Sequence, residues 1–85
     1  MAITNITPKL VSTIASAIGS SPTEIEPNSG LDTTVGWDSF GHLRIILDVE
    51  FEFGVQFDSS RIPELTTAEL IQQELDVLVL NKIAE

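Results

Sequence analysis

In the segment GWDSF, residues 36–40, Ser39 follows an acid, Asp38, and precedes the chain's single histidine, His42, by three residues. A serine and a histidine one helical turn apart suggest a nucleophile and its base. As a hydrolase the pattern fails. The Gly-x-Ser-x-Gly elbow needs glycine where Trp37 stands, and the stretch before the serine does not read as a strand. The 85 residues contain no cysteine, which excludes disulfides, thiolate metal sites and cysteine nucleophiles. The acids are scattered without an Asp-x-Asp-x-Asp-Gly loop, so no metal site is expected. What remains is a hydroxyl at a junction between loop and helix. Free backbone amides and the positive end of the helix dipole favour an anion there, and a phosphodiester on Ser39 would place its charge at that spot. The plainer use of Asp38-Ser39 is as a helix N-cap, and capping serines are common.

The elements around this junction read as helices. Ile6, Leu10, Ile14 and Ile18 recur every four residues, with Val11 and Ala17 beside them, which predicts a first helix over residues 6–18. Thr7-Pro8 suits its cap and first position, and Gly19 its stop. Residues 19–37 predict a long loop with a short helical turn near 22–26. Ile25, Leu31, Val35 and Trp37 are its expected apolar pegs into the core. A second helix is predicted over 39–53, capped by Asp38 or Ser39 and closed by Gly54. Gly41, Arg44, Asp48 and Glu52 form a narrow polar stripe on it. Phe40, Leu43, Ile45, Ile46, Leu47, Val49, Phe51 and Phe53 spread over a wide apolar arc, the mark of a central helix touched by several neighbours. DSSRIP, residues 58–63, predicts a brief capped turn stopped near Pro63. A last helix over 67–82 is expected to turn Ala68, Ile71, Leu75, Leu78 and Val79 inward, with Leu70 at the margin and Glu69 well placed for its dipole. Leu78, Val79, Leu80 and Ile83 either extend that helix or meet a partner. The expected fold is all-α: a four-helix bundle of three main helices and one short one, in a single domain spanning 1–85.

Thirteen acids against four bases give a formal net charge of −9. That balance argues against nucleic acid and anionic membrane surfaces, and favours steering toward basic partner surfaces. Met1 to Ile6 shows no basic or apolar targeting region, and no apolar run approaches a membrane span, so a cytoplasmic location is expected.

Along nearly its whole length the chain resembles the acyl carrier protein family. Asp38-Ser39-Phe40 is similar to the Asp-Ser-Leu that opens the family's second helix. Glu50-Phe51-Glu52-Phe53-Gly54-Val55 is similar to the acidic run, closed by Phe and Gly, that ends it. The gap of about twenty residues from Gly19 to the serine fits, and Leu65-Thr66-Thr67-Ala68-Glu69-Leu70 resembles the family's entry to its last helix.

The resemblance implies a carrier with no catalysis of its own. A phosphopantetheinyl transferase, using magnesium, would attach 4′-phosphopantetheine to Ser39, with Asp38, Trp37 and Phe40 beside it, and the arm's thiol would hold an acyl group as a thioester. Trp37 is expected to anchor the loop, with its indole close enough to touch the arm. Acyl-loading and acyl-processing enzymes with basic surfaces are the implied partners of a monomeric carrier, in fatty-acid, polyketide or related biosynthesis. The wide apolar arc of 40–53 is compatible with a cleft for cargo, although core packing is the plainer reading of each residue.

The chain departs from the family's pattern at three places. Phe40 replaces the common Leu. Arg44 stands where an acid is frequent on the partner-facing side, and His42 where a small polar residue is frequent. These imply a partner surface of Arg44, Asp48, Glu52 and His42 tuned to a dedicated partner set, unless Arg44 only pairs with Asp48 one turn on. GWDSF lacks the Gly-Gly-His-Ser of peptidyl carriers, which argues against an aminoacyl cargo. A non-covalent helical adaptor that is never modified is the alternative from another class.

Overall fold

A computed structural model describes residues 6–84, with side chains as far as Lys82. The first five residues of the expected targeting-free segment, and the Ile83 side chain, lie outside that range. Three helices carry the fold: α1 (Pro8–Ile18), α2 (Ser39–Phe53) and α3 (Ala68–Ala84). Single 3-10 turns at Pro22–Glu24 and Ile62–Glu64 interrupt the connections, and the one β-contact among the described residues is an isolated bridge between Gly30 and Thr67. The all-α expectation holds, with a long loop between the first two helices.

The helix boundaries follow from local chemistry. α1 starts at Pro8, not Ile6, because Thr7 is extended and Pro8 takes the position where a missing N–H costs nothing. Thr7 holds the cap position, but its side chain makes no capping bond. Its N–H and hydroxyl both donate to Gln72 Oε1, at 2.9 and 3.1 Å, tying the start of α1 to α3. Gln72 is 2 % exposed and also donates to Asp76 Oδ1 at 2.8 Å, so its amide is satisfied at both ends. α2 spans the predicted residues, and Asp38 caps it by accepting from Gly41 N–H at 2.8 Å. Pro63 lies inside the second 3-10 turn rather than stopping it, since proline is tolerated in a first turn.

The core gathers Leu10, Ile14, Ile45, Ile46, Val49, Leu65, Ile71 and Leu75 from the three helices and the second turn, and Trp37 from the long loop. α1 and α2 run antiparallel: the Lys9 ammonium lies 4.8 Å from the Phe53 ring centre at one end, and Ile18 meets Gly36 at the other.

The loop is stitched to α3. Leu31 N–H donates to Thr66 O, and the first amides of α3, Ala68 and Glu69, donate to Ser29 O and Pro27 O at 2.8 and 2.9 Å. The helix start that most needs acceptors therefore finds them in loop carbonyls. Ile25 and Trp37 act as the predicted pegs and Leu31 is half-buried, but Val35 is 94 % exposed. It follows a tight turn in which Thr33 and Thr34 N–H both donate to Gly30 O, and that turn points the loop's tip away from the core.

The largest correction concerns α2. Its buried residues are Gly41, His42, Ile45, Ile46 and Val49, whereas Phe40, Leu43, Leu47 and Phe51 are exposed. At about 100° per residue the apolar arc divides into two stripes. One faces the core and the other faces solvent.

Candidate functional site

Ser39 is exposed, and among the described residues its hydroxyl makes no hydrogen bond. The cap is supplied by Asp38, which leaves the serine free. The N–H groups of Ser39 and Phe40 point from the first turn without a partner among the described residues. A hydroxyl beside two unpaired amides at the head of a fifteen-residue helix is accessible, and its surroundings favour a phosphate. The residues present therefore fit a phosphodiester on Ser39.

The backbone leading to Ser39 is held by close packing. A Cβ on Gly41 would lie 2.3 Å from Gly36 O, and one on Gly36 would lie 2.6 Å from Ile18 O. Gly36 also has φ +87°, a region that side-chain-bearing residues rarely enter. The first turn of α2, the loop and the last residue of α1 are thus pressed together through two glycines. Neither contact was legible in the sequence, although a glycine in the first turn of a helix, where alanine is the better helix former, asks for a packing reason.

His42 departs from the partner-surface role the resemblance implied, whereas Trp37 is the expected loop anchor, turned into the core. Trp37 is 1 % exposed and His42 5 %. The Trp37 indole N–H donates to His42 Nδ1 at 3.0 Å, and His42 Nε2 lies 2.9 Å from Ile62 O. An indole N–H only donates and a carbonyl only accepts, so the ring is neutral with its proton on Nε2. Both ring nitrogens are occupied, and His42 is not placed to serve Ser39 as a base. It belongs to the core, not to the partner surface, because it falls in the middle of the buried arc between Ile45, Ile46 and Val49.

The other predicted surface residues are where a partner can reach them. Arg44 is exposed, and its Nε lies 3.5 Å from Asp48 Oδ2; Glu52 is exposed. Phe40, immediately after Ser39, is 78 % exposed. Sequence reasoning missed the residues beside these charges: Leu43, Leu47 and Phe51 join Phe40 in an outward apolar stripe. The spacing of 3, 4 and 4 residues carries that signal, but within one helix it is indistinguishable from part of a broad core arc.

All four cations of the chain make contacts within it. Besides Arg44 and Lys9, Arg61 bonds Glu64 and Glu74, at 2.6 and 3.1 Å, and Lys82 donates to Gly54 O at the C-terminal end of α2. The excess acid is therefore what the molecule presents at long range. Among the described residues no helix is long and apolar enough to cross a membrane.

No family model matches the chain. It is similar to an acyl carrier protein of Cyanidioschyzon merolae, with 27% identity over 74 residues that cover 87% of this chain and 78% of that protein. The resemblance read from the Asp-Ser-Phe segment and its flanking helices thus recurs in an alignment over most of the chain.

Proposed function

We propose that this chain is an acyl carrier protein that receives 4′-phosphopantetheine on Ser39. One observation carries the proposal: the Ser39 hydroxyl is exposed and unengaged at the head of α2, where Asp38 has taken over the cap and two amides stand free. The likeness to a named acyl carrier protein supports it.

In loading, Ser39 Oγ forms a new bond to the phosphorus of coenzyme A next to the pantetheine. The bond from that phosphorus to the bridging pyrophosphate oxygen breaks, the nucleotide leaves with that oxygen, and the hydroxyl proton passes to a base on the transferase. Once bound, the group supplies a thiol that holds an acyl chain as a thioester. The protein's own residues present and orient. Asp38 keeps the first turn of α2 closed, the free Ser39 and Phe40 amides would hold a phosphate carried on Ser39, and the buried Trp37–His42 pair fixes the loop that leads to the serine.

Partners would dock along α2. Phe40, Leu43, Leu47 and Phe51 supply apolar contact, with Arg44, Asp48 and Glu52 along one margin. The net charge of −9 steers basic transferases and acyl-processing enzymes toward this surface. Pairing of Arg44 with Asp48 leaves the stripe less acidic than the molecule as a whole.

The test is a mass measurement. The purified chain is incubated with coenzyme A, magnesium and a broad-specificity phosphopantetheinyl transferase. Gain of one phosphopantetheine, absent from Ser39→Ala, is expected. A folded wild-type chain that stays unmodified overturns the carrier reading and leaves a helical adaptor, to which the apolar stripe of α2 would then belong.

A further inference from the structure

A hollow of about 640 Å³ lies between the C-terminal end of α1 and the long loop, with Ile18, Asn28, Thr34 and Val35 in its lining. A smaller one of about 220 Å³, lined by Asp32 through Asp38, shares Thr33, Thr34 and Val35 with it. Both hollows therefore border the same stretch of loop, and the smaller one reaches Asp38, the residue before Ser39. From Ser39 to Val35 is four residues, at most about 14 Å of extended chain. Resting on the carrier reading above, we infer that the two hollows together form a polar path that seats the pantetheine arm in the unloaded carrier.

The chemistry of the lining matches that of the arm. Beyond its phosphate the arm is uncharged and carries two amides, one hydroxyl and a pair of geminal methyls. Its chain of roughly fourteen bonds is about as long as four or five extended residues, enough to run past Val35. The Asn28 carboxamide makes no hydrogen bond among the described residues, and it offers both donors and an acceptor to an amide. Thr34 Oγ1 accepts from Gly30 N–H at 3.0 Å and keeps its own proton to give. Val35, 94 % exposed, and half-buried Ile18 provide the apolar surface for the methyls.

Charge selects in the same direction. Glu24 and Glu26 also line the hollow, and Glu24 is held below its ordinary range by the Ser21 backbone N–H and the Ser20 hydroxyl. A neutral amide chain is tolerated beside these carboxylates, whereas an anionic chain would be repelled. The apolar alternative is remote. The hollow of about 360 Å³ lined by Phe53, Leu75, Val79 and Leu80 lies by the far end of α2, about 21 Å along the helix from Ser39.

The test compares amide and methyl NMR spectra of the ¹⁵N,¹³C-labelled chain before and after loading, with loading verified separately by mass. Shifts at Asn28, Thr34 and Val35, and cross-relaxation between the arm's geminal methyls and those of Val35 or Ile18, are expected. In Asn28→Ala, loading is retained and the Val35 shift falls, reflecting a seated population reduced on the order of two- to tenfold. Shifts confined to residues 37–41 in fully loaded protein overturn the seat while leaving the carrier reading intact. Failure to load removes both. A Val35 shift unchanged by Asn28→Ala overturns the path assigned through that side chain.

Discussion

The Trp37 indole N–H points at His42 Nδ1 at 3.0 Å, and the two ring planes lie within 22° of each other with their centres 6.2 Å apart. The rings meet edge to edge through an in-plane hydrogen bond, not face on face. His42 passes the link on to Ile62 O, so one buried imidazole joins the long loop, α2 and the second 3-10 turn. The two residues are five apart in sequence and hold the backbone on either side of Ser39.

This bridge predicts a core role for the histidine. His42→Ala would leave a buried indole N–H without its acceptor and Ile62 O without its donor, at a cost of about 2–4 kcal/mol. Urea unfolding checks the loss. A ¹⁵N spectrum of the wild-type ring should show the proton on Nε2. A mutant as stable as the parent would mean that the bridge contributes nothing.

Close packing at the head of α2 makes a usually favourable substitution unfavourable. In an open helix interior Gly→Ala gains about 1 kcal/mol. At Gly41 the new Cβ would meet Gly36 O at 2.3 Å, and backbone must move. Gly41→Ala is therefore expected to destabilise by about 1–3 kcal/mol and to slow modification of Ser39. Thermal unfolding and loading rate measure the two effects. A gain in stability would show that the loop yields freely.

The outward stripe of α2 separates folding from docking. Leu47→Ser and Phe51→Ser remove groups 62 % and 85 % exposed, so stability should change by no more than about 0.5 kcal/mol. If these residues are docking contacts, the loading rate by the carrier's own transferase falls by about tenfold, the equivalent of about 1.4 kcal/mol of lost binding. Equal rates for mutant and parent would remove the stripe from the docking surface.

Acid should weaken one turn in a defined direction. The Asp58 carboxylate accepts from the Ser60 hydroxyl at 2.7 Å and from the Ser60 N–H at 2.9 Å, and these bonds, with Arg61 nearby, lower its pKa from the ordinary 3.8. A depressed folded pKa means that the unfolded chain binds its proton first as pH falls. The contribution is thus complete above 3.8 and disappears as pH drops through the lower folded value. Asp58→Asn should flatten the acid limb of stability against pH below that point. An unchanged slope would show that the turn is not coupled to folding.

Much of this molecule was legible from the order of residues alone. α2 could be placed at Ser39–Phe53 because a cap, an apolar run and a glycine stop are all local signals. The exposed position of Ser39 followed from the same junction. Tertiary structure decided which of the apolar residues were covered. Periodicity gives the angle of a side chain around its helix but not the number of neighbours packed there, so Phe40, Leu43, Leu47 and Phe51 read as core although the fold leaves them in solvent. It also decided the fate of His42, whose partners are an indole on the preceding loop and a carbonyl twenty residues away. A hydrogen bond between distant segments depends on how the chain is brought together in space, and no spacing within one helix encodes it.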